Sequence, residues 1–477
     1  MRTRYHNRIK GMATLATLAV MALAGHGQSL RTTYFMDGAQ YRMQLNPAMT
    51  PSRGYVHIPG ASNTGLSYQS NGIGVGDMID IIKNSNDADY FMSDPFMGRL
   101  KEKNHAVANA GTDLVAAGWW QGKNFLSFNV GVKVNTGVKV PKSLFSFMRE
   151  MRGMSTIDYS DYTRHIGGEE LNVAAYTELG FGLSRQVNDR LSVGARVKAL
   201  LGMGNANLKI RDVVVKTNLQ NLDPDYNWTY GDLGELLEVE GTASIDMDAD
   251  LECTIPGVEL RTNGKAYVDE VKFHAKDMGL AGYGAALDAG VSYRLPGGFT
   301  VSAAVVDLGF INWSKGKTVV AHSNTSDLHF DSKEVGDIMR FSDVVTSTEP
   351  LNGDIMRLHI DEQGAKSRTT GLTTTLVAGA DYAIHGDKLR LGALYTHRND
   401  AIDSEDELTF SVNLHPSDLI DVAVSYSPVL SGGKSVGMAV KAGPLFVGTD
   451  YLFTGTNCKC FNALVGLSIP LGRKPKN

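Results

Sequence analysis

Three cysteines in 477 residues are too few for a disulfide framework or a four-cysteine zinc site. Proline is scarce at 14, and glycine shows no every-third-residue period, which excludes collagen and proline-rich disorder. No stretch reaches the roughly 18–20 apolar residues of a transmembrane helix. A chain of this kind that spans a membrane must therefore do so as a closed barrel, where every backbone polar group is paired. Lysine and arginine form no block and the net charge is only −5, so no nucleic-acid partner is expected. No His-Glu-x-x-His or phosphate-loop pattern occurs, and no cofactor is expected. What the chain does have in excess is glycine, at 52 positions.

The N-terminus reads as an address. Arg2, Arg4, Arg8 and Lys10 precede an apolar run from Met12 to Ala24, which is too short to span. Ala22-Leu23-Ala24 is a small-x-small cleavage pattern, with Gly27 as a second candidate. Residues 1–24 are expected to be a secretory signal peptide.

Beyond it, the chain alternates with period two. Leu171, Val173, Ala175, Thr177, Leu179, Phe181 and Leu183 form one face of a strand, and Asn172, Ala174, Tyr176, Glu178, Gly180, Gly182 and Ser184 the other. Similar runs cover 129–140, 191–201, 283–293, 408–414, 420–426 and 461–471. Strands in soluble sandwiches average about five or six residues, whereas a membrane strand needs roughly 9–11. Several runs here are longer than that, and their second face is rich in glycine and charge, as the lumen of a wide barrel would be.

Turn parity supplies the topology. Tight turns occur at 121–124, 186–189, 295–298, 385–388, 415–418 and 442–444, and longer connections at about 71–111, 141–168, 209–277, 309–370, 399–406, 431–434 and 454–459. Short and long connections alternate. The expectation is an all-β, transmembrane antiparallel barrel of about fourteen strands over residues 54–471, with short periplasmic turns, long extracellular loops and both termini periplasmic. Residues 209–277 should form an outer excursion with its own strands, 309–370 should be polar and irregular, and 472–477 should be a tail. Val75–Lys83 and Pro141–Met151 read as short amphipathic helices.

Glycine faces inward at Gly180, Gly182, Gly194, Gly284, Gly290, Gly392, Gly437 and Gly466. Glycine weakens a strand, and its recurrence marks close approach by another backbone. Residues 28–53, ahead of the first strand, are the one unassigned segment able to supply that backbone, and are expected to form a plug entering from the periplasmic end.

Within that segment, Asn46-Pro47-Ala48-Met49 resembles the Asn-Pro-Ala motif in the N-terminal hatch of the FadL-type outer-membrane transporter superfamily. Ser184–Lys198 and Asp307–Trp313 look like hairpin and strand-end segments of its Bacteroidetes branch, which includes the PorV-like barrels of type IX secretion. Ser29–Met36 looks closest to an uncharacterised family of that branch. The resemblance implies a fourteen-stranded barrel with Asn46, Pro47 and Ala48 as hatch elements, sitting among outer-membrane lipids. It implies diffusion of a hydrophobic or amphipathic small molecule, or alternatively a non-transporting platform that docks a surface or secretion partner protein.

The remaining candidate chemistry is sparse. Gly433-Lys434-Ser435-Val436-Gly437 matches a nucleophile-elbow pattern but lies in a hairpin with no helix to follow, so no enzyme activity is expected. Asp246, Asp248, Asp250 and Glu252 begin like a calcium loop, but Leu251 and Gly257 stand where that loop needs glycine and glutamate. A solvated acidic strand face is the expectation, with a loose Ca²⁺ site at Asp246, Asp248 and Asp250 as the alternative. Cys253, Cys458 and Cys460 leave open a C-x-C disulfide, a bridge to Cys253 or free thiols. Lys133, Lys139, Glu178, Arg196, Lys198, Asp288, Arg390, Asp421, Lys441 and Asp450 are the inward charges. Their mixed signs suit a network that braces the wall and holds the plug, with a substrate-selective pathway as the other reading.

Overall fold

A computed structural model describes residues 30–473 except 60–62, 85–89, 92, 151–157, 224–237, 334–336, 338–356, 385–387, 401, 431–432 and 453–456. The expected signal peptide, residues 474–477 of the C-terminal tail and most of the 385–388 turn lie outside the described residues, and the tail's first two residues belong to the last strand. Fourteen antiparallel strands close into one barrel. They are β1 (Arg53–His57 and Thr64–Ser70), β2 (Lys103–Gln121), β3 (Asn124–Pro141), β4 (Glu169–Gln186) and β5 (Leu191–Gln220). Then follow β6 (Gly282–Arg294), β7 (Phe299–Trp313), β8 (Thr374–Ile384), β9 (Leu389–Asn399) and β10 (Ser404–Ser417). The last are β11 (Ile420–Val429), β12 (Ser435–Ala442), β13 (Leu445–Thr449) and β14 (Cys460–Arg473). Each pairs with the next along the chain. β1 closes the ring, with Leu66 opposite Ala463 of β14 on one side and Ala110 of β2 on the other.

The outward face is apolar and exposed. Phe181, Val197, Leu308, Phe410, Val424, Val447 and Ile469 all point away from the lumen. Trp119, Tyr293, Phe299 and Tyr382 ring the short-turn end, and Tyr283, Phe310, Tyr395 and Tyr426 the long-connection end. Tyr293 and Tyr283 are ten residues apart on β6. At about 3.3 Å per residue and a tilt near 40°, that separates the two girdles by roughly 25 Å, the height of a membrane barrel's apolar band. No helix among the described residues is long and apolar enough to cross a membrane; the strands do so.

Three expectations need correction. The connection placed at 71–111 ends earlier, because β2 already begins at Lys103. Small residues on both faces there (Ala106, Ala108, Ala110, Gly111) hide the period. The excursion placed at 209–277 is continuous with β5, which runs unbroken for 30 residues to Gln220 and passes the girdle before residue 209. The strand's last nineteen or so make up roughly 60 Å of strand beyond the girdle. The 309–370 connection is not irregular throughout. β7 continues to Trp313, and Val319–Ser323, His329–Asp331, Leu358–Ile360 and Arg368–Gly371 are strands.

The first two of these short strands pair end to end along one edge of Glu240–Thr254, whose other edge pairs with the β5 extension. Tyr162–Ile166 pairs with β5 on its other side. Beneath this outer sheet lies a separate apolar core of Tyr159, Ile166, Val213, Val215, Ile245 and Phe330. The helices Val75–Lys83 and Lys142–Arg149 are present where amphipathic periodicity placed them.

Val424 is 47% exposed at mid-strand on β11, while its neighbour Ser425 is 3% exposed and faces inward. Val424→Arg should cost roughly 2–4 kcal/mol of folding stability in bilayers, as charge does on a lipid-facing midplane position. Val424→Thr should cost far less. Equal refolding midpoints for the two variants would contradict the assigned faces.

Candidate functional site in the barrel lumen

Residues 30–52 lie inside the barrel. Leu30 and Thr32 pack near the long-connection end, against Gly448 and Gly437. The segment descends past Gly379 (Tyr34) and Gly392 (Phe35), then crosses the short-turn end, where the Trp120 indole donates to the Pro51 carbonyl at 3.1 Å. Its two short 3₁₀ turns, Arg31–Thr33 and Gln40–Gln44, are buried almost throughout. Two apolar clusters hold it. Leu30, Met36, Ala39 and Tyr41 pack on Ala423, Ala439, Phe446 and Leu464. Tyr34, Phe35, Leu45 and Met49 pack on Val377 and Leu394. Each large side chain so buried contributes about 1.5–3 kcal/mol relative to exposure.

The inward glycines divide into two groups. At Gly194 and Gly290 a Cβ would collide with Pro47 and Asn46, at Gly392 with Phe35, at Gly437 with Thr32 and at Gly466 with Tyr41. Gly180, Gly182 and Gly284 make room instead for wall groups, namely Asn129 and Arg196, Ser127, and the Phe310 carbonyl. Over Gly290, the Asn46 amide donates to the Tyr34 hydroxyl (2.9 Å) and to the Val291 and Ala303 carbonyls (both 3.3 Å). Its oxygen accepts from the Ala48 N–H at 2.9 Å, an Asx turn around Pro47. Ser184 donates to the Pro47 carbonyl. Asn46, Pro47 and Ala48 therefore sit where plug backbone and glycine wall meet.

Charge anchors the same segment at the short-turn end. Asp37 pairs with Arg42 and with Arg390, which also holds Asp381. Two guanidinium groups thus compensate the partly buried Asp37 carboxylate. The Gly38 N–H donates to Asp421 at 2.8 Å, and Lys441 lies opposite Asp421 and donates to the Asp418 carbonyl at 3.3 Å. At the upper end, the Arg31 and Thr32 N–H groups donate to Asp450 at 3.1 and 2.9 Å.

The charges on β3–β7 form a second group, away from the plug contacts. Lys133 lies 2.7 Å from Glu178, Arg196 donates to Glu178 at 2.7 Å, and Lys198 lies 2.7 Å from Asp288. Asp307, which sequence reading missed, joins this group through Lys198 and, at 3.8 Å, Lys133. Lys139 stands apart, 3.6 Å from Glu170. Asp307 has φ 59, and with Val306 it faces the single residue Asp288, forming a β-bulge. The bulge flips the strand's parity, so period-two counting cannot follow it.

Between plug and wall lies a cavity of about 150 Å³. The plug contributes Arg31, Gln40, Tyr41, Met43 and Leu45, and the wall Tyr55, Asn109, Lys133, Arg196, Asp307 and Arg398. The lining mixes apolar and polar groups, with both signs of charge.

The other candidates lie elsewhere. Asp246, Asp248 and Asp250 are on the outer sheet, each against a basic side chain: His329 at 2.9 Å from Asp246, Arg211 bidentate on Asp248, and Arg211 and His322 on Asp250. Desolvation works the other way, yet His322 and Arg211 hold the Asp250 carboxyl below its ordinary value. Among the described residues, no cluster of three or more His, Cys, Asp or Glu could hold a metal. Cys253, Cys458 and Cys460 are free thiols. Ser435 opens β12 with no strand-to-helix turn.

Residues 47–450 match the model of a "Family of unknown function (DUF5723)". None of the curated proteins matches the sequence. Among solved structures, a TodX ΔS2S3 mutant monoaromatic hydrocarbon channel is 10% identical, covering 94% of this chain and 98% of its own at a TM-score of 0.39. A Pseudomonas aeruginosa FadL homologue is 10% identical over 94% and 97%, TM-score 0.36. The Ralstonia pickettii toluene transporter TbuX is 9% identical over 94% and 99%, TM-score 0.31. Likeness of this degree carries no argument about cargo.

Gly290→Leu drives a branched side chain into Asn46 and Pro47, where overpacking costs typically about 1–3 kcal/mol. The expected result is a folded, heat-modifiable barrel whose 30–52 segment is cut by protease much faster than in the wild type. Gly316→Leu, at a loop position with open space around its Cβ and no left-handed φ, should leave that cleavage rate unchanged. Indistinguishable cleavage of the wild type and Gly290→Leu would contradict the contact.

Proposed function

The chain belongs to the family of unknown function DUF5723, and from that premise we propose that it is an outer-membrane channel through which small hydrophobic or amphipathic compounds diffuse, with residues 28–53 as its hatch. The observation that carries this reading is the shared cavity. Plug and barrel wall line it jointly, and movement of the plug lengthens it into a path. The mixture of Tyr41, Met43, Leu45 and Tyr55 with Asn109, Lys133 and Arg196 favours amphipathic solutes over plain hydrocarbons. In this reading Asn46, Pro47 and Ala48 are the hatch contact, Arg390, Asp421, Lys441 and Asp450 act in seating the plug, and Lys133, Glu178, Arg196, Lys198 and Asp288 brace the wall beside the solute path. The short turns are periplasmic and the outer sheet extracellular.

A second reading, a docking platform related to the PorV-like barrels of the Bacteroidetes branch, draws support from the outer sheet. It projects beyond the girdle on a core of its own, built from Tyr159, Val215, Ile245 and Phe330, and a barrel needs no such core merely to conduct.

Deletion of residues 31–50 separates the two. In proteoliposomes the deletion should raise permeability to small amphipathic solutes at least tenfold over the wild type, with the barrel still heat-modifiable. Unchanged permeability in a folded deletion variant would contradict the channel reading and leave the platform.

A further inference from the structure

Arg31 is held as a bound ligand would be. Its guanidinium is 2% exposed and lies among Glu407 of β10 and Asp450 and Tyr451, just past β13. One terminal nitrogen pairs with Glu407. The other donates to the Tyr451 hydroxyl at 2.8 Å and lies 3.7 Å from Asp450. The guanidinium carbon stands 5.3 Å from the centre of the Tyr451 ring, within cation–π range. Two buried carboxylates and an aromatic face are the chemistry that recognises an organic cation.

The origin of the charges sets this place apart from the rest of the lumen. On β3–β7 the wall supplies both signs itself, with Lys133, Arg196 and Lys198 against Glu178, Asp288 and Asp307. Here the wall supplies Glu407 and Asp450, both buried, and its nearby cation Arg398 donates to Asp400 and stands opposite Glu405. The cation that answers Glu407 and Asp450 comes from the plug. A plug residue thus fills a pocket that the barrel alone would leave anionic, and a buried carboxylate without a counter-charge is strongly unfavourable. Arg31, Thr396 and Arg398 also line the lumen cavity, so a solute in that cavity meets Arg31 and, on displacing it, the carboxylates behind it.

We infer that Glu407, Asp450 and Tyr451 form a binding site for small organic cations, ammonium or guanidinium groups on an amphipathic body, and that Arg31 occupies it as an internal ligand. A solute of that class replaces Arg31 at Glu407, and the plug loses its upper anchor. The release step rests on the channel reading; the site itself does not.

The test is calorimetric titration of the full-length protein in detergent with benzylguanidinium, benzylammonium and, as a neutral control, benzyl alcohol. Arg31→Ala should bind benzylguanidinium at least tenfold tighter than the wild type, with benzyl alcohol unchanged. Glu407→Gln in the Arg31→Ala background should remove the gain. Arg31→Lys keeps the plug charge, and so the fold, while giving up the planar fork, and should still bind benzylguanidinium several-fold tighter than the wild type. An equal gain for benzyl alcohol, a gain that survives Glu407→Gln, or no gain in either folded Arg31 variant would overturn the site. Selective cation binding by a protein that passes no solute would keep the site and sink the channel; solute flux with no selective cation binding would do the reverse.

Discussion

The hydrogen-bonded seam between β1 and β14 removes the last open edge of the sheet, and the other features of the molecule follow from it. In hydrocarbon an unpaired backbone N–H or C=O costs several kcal/mol, so a sheet can lie there only as a ring. Once the ring is closed, every strand has one face in lipid and one in the lumen. β1 makes the seam in two pieces, Arg53–His57 and Thr64–Ser70, each bonded to both neighbours. The chain that leads into this seam starts from inside the barrel, which makes the plug and the closing strand one continuous segment.

The inner face then meets three different demands. Where the plug presses closest on the wall, the wall is glycine, as at Gly194 under the Pro47 backbone and at Gly290 under the Asn46 side chain. Where plug side chains rest on it, the wall is small or apolar, as at Ala423, Ala439, Val377 and Leu394. Where neither reaches, charges of both signs pair across neighbouring strands, as with Lys133 and Glu178. Buried ions are tolerated only when paired, and each carboxylate of the β3–β7 group has a cation close by. The plug is therefore complementary to its wall in shape, in hydrophobicity and, through Asp37 and Arg31, in charge.

Much of this was legible in the sequence, because the pattern of a barrel strand is local. Val424 beside Ser425, and Val197 beside Lys198, announce lipid and lumen without knowledge of the partner strand. Connection length likewise announces which end of the barrel a turn occupies. The inward glycines pointed to a backbone in the lumen, although Gly180, Gly182 and Gly284 accommodate wall groups that lie far away in sequence. Asp307 was not legible, because a bulge is a property of a strand pair and one extra residue reverses every face beyond it. The outer sheet was legible only in part. The length of β5 is visible, but the pairing of Glu240–Thr254 with Val319–Ser323 joins segments some seventy residues apart with no turn between them to fix the register. The pocket around Arg31 depends on two carboxylates from separate strands, and nothing in a single stretch of sequence brings Glu407 and Asp450 together.

The central claim, that the segment at 30–52 is a plug whose movement opens the lumen, is tested most directly by tethering it. The Thr32 and Ser425 hydroxyl oxygens are 2.6 Å apart, so cysteines at these two positions, in a background with Cys253, Cys458 and Cys460 replaced by serine, can be joined across plug and wall. Solute flux through proteoliposomes carrying this variant should be shut in the oxidised state and return to the wild-type level on reduction. Equal flux in the oxidised and reduced states, with the cross-link verified by mass spectrometry, would contradict the account.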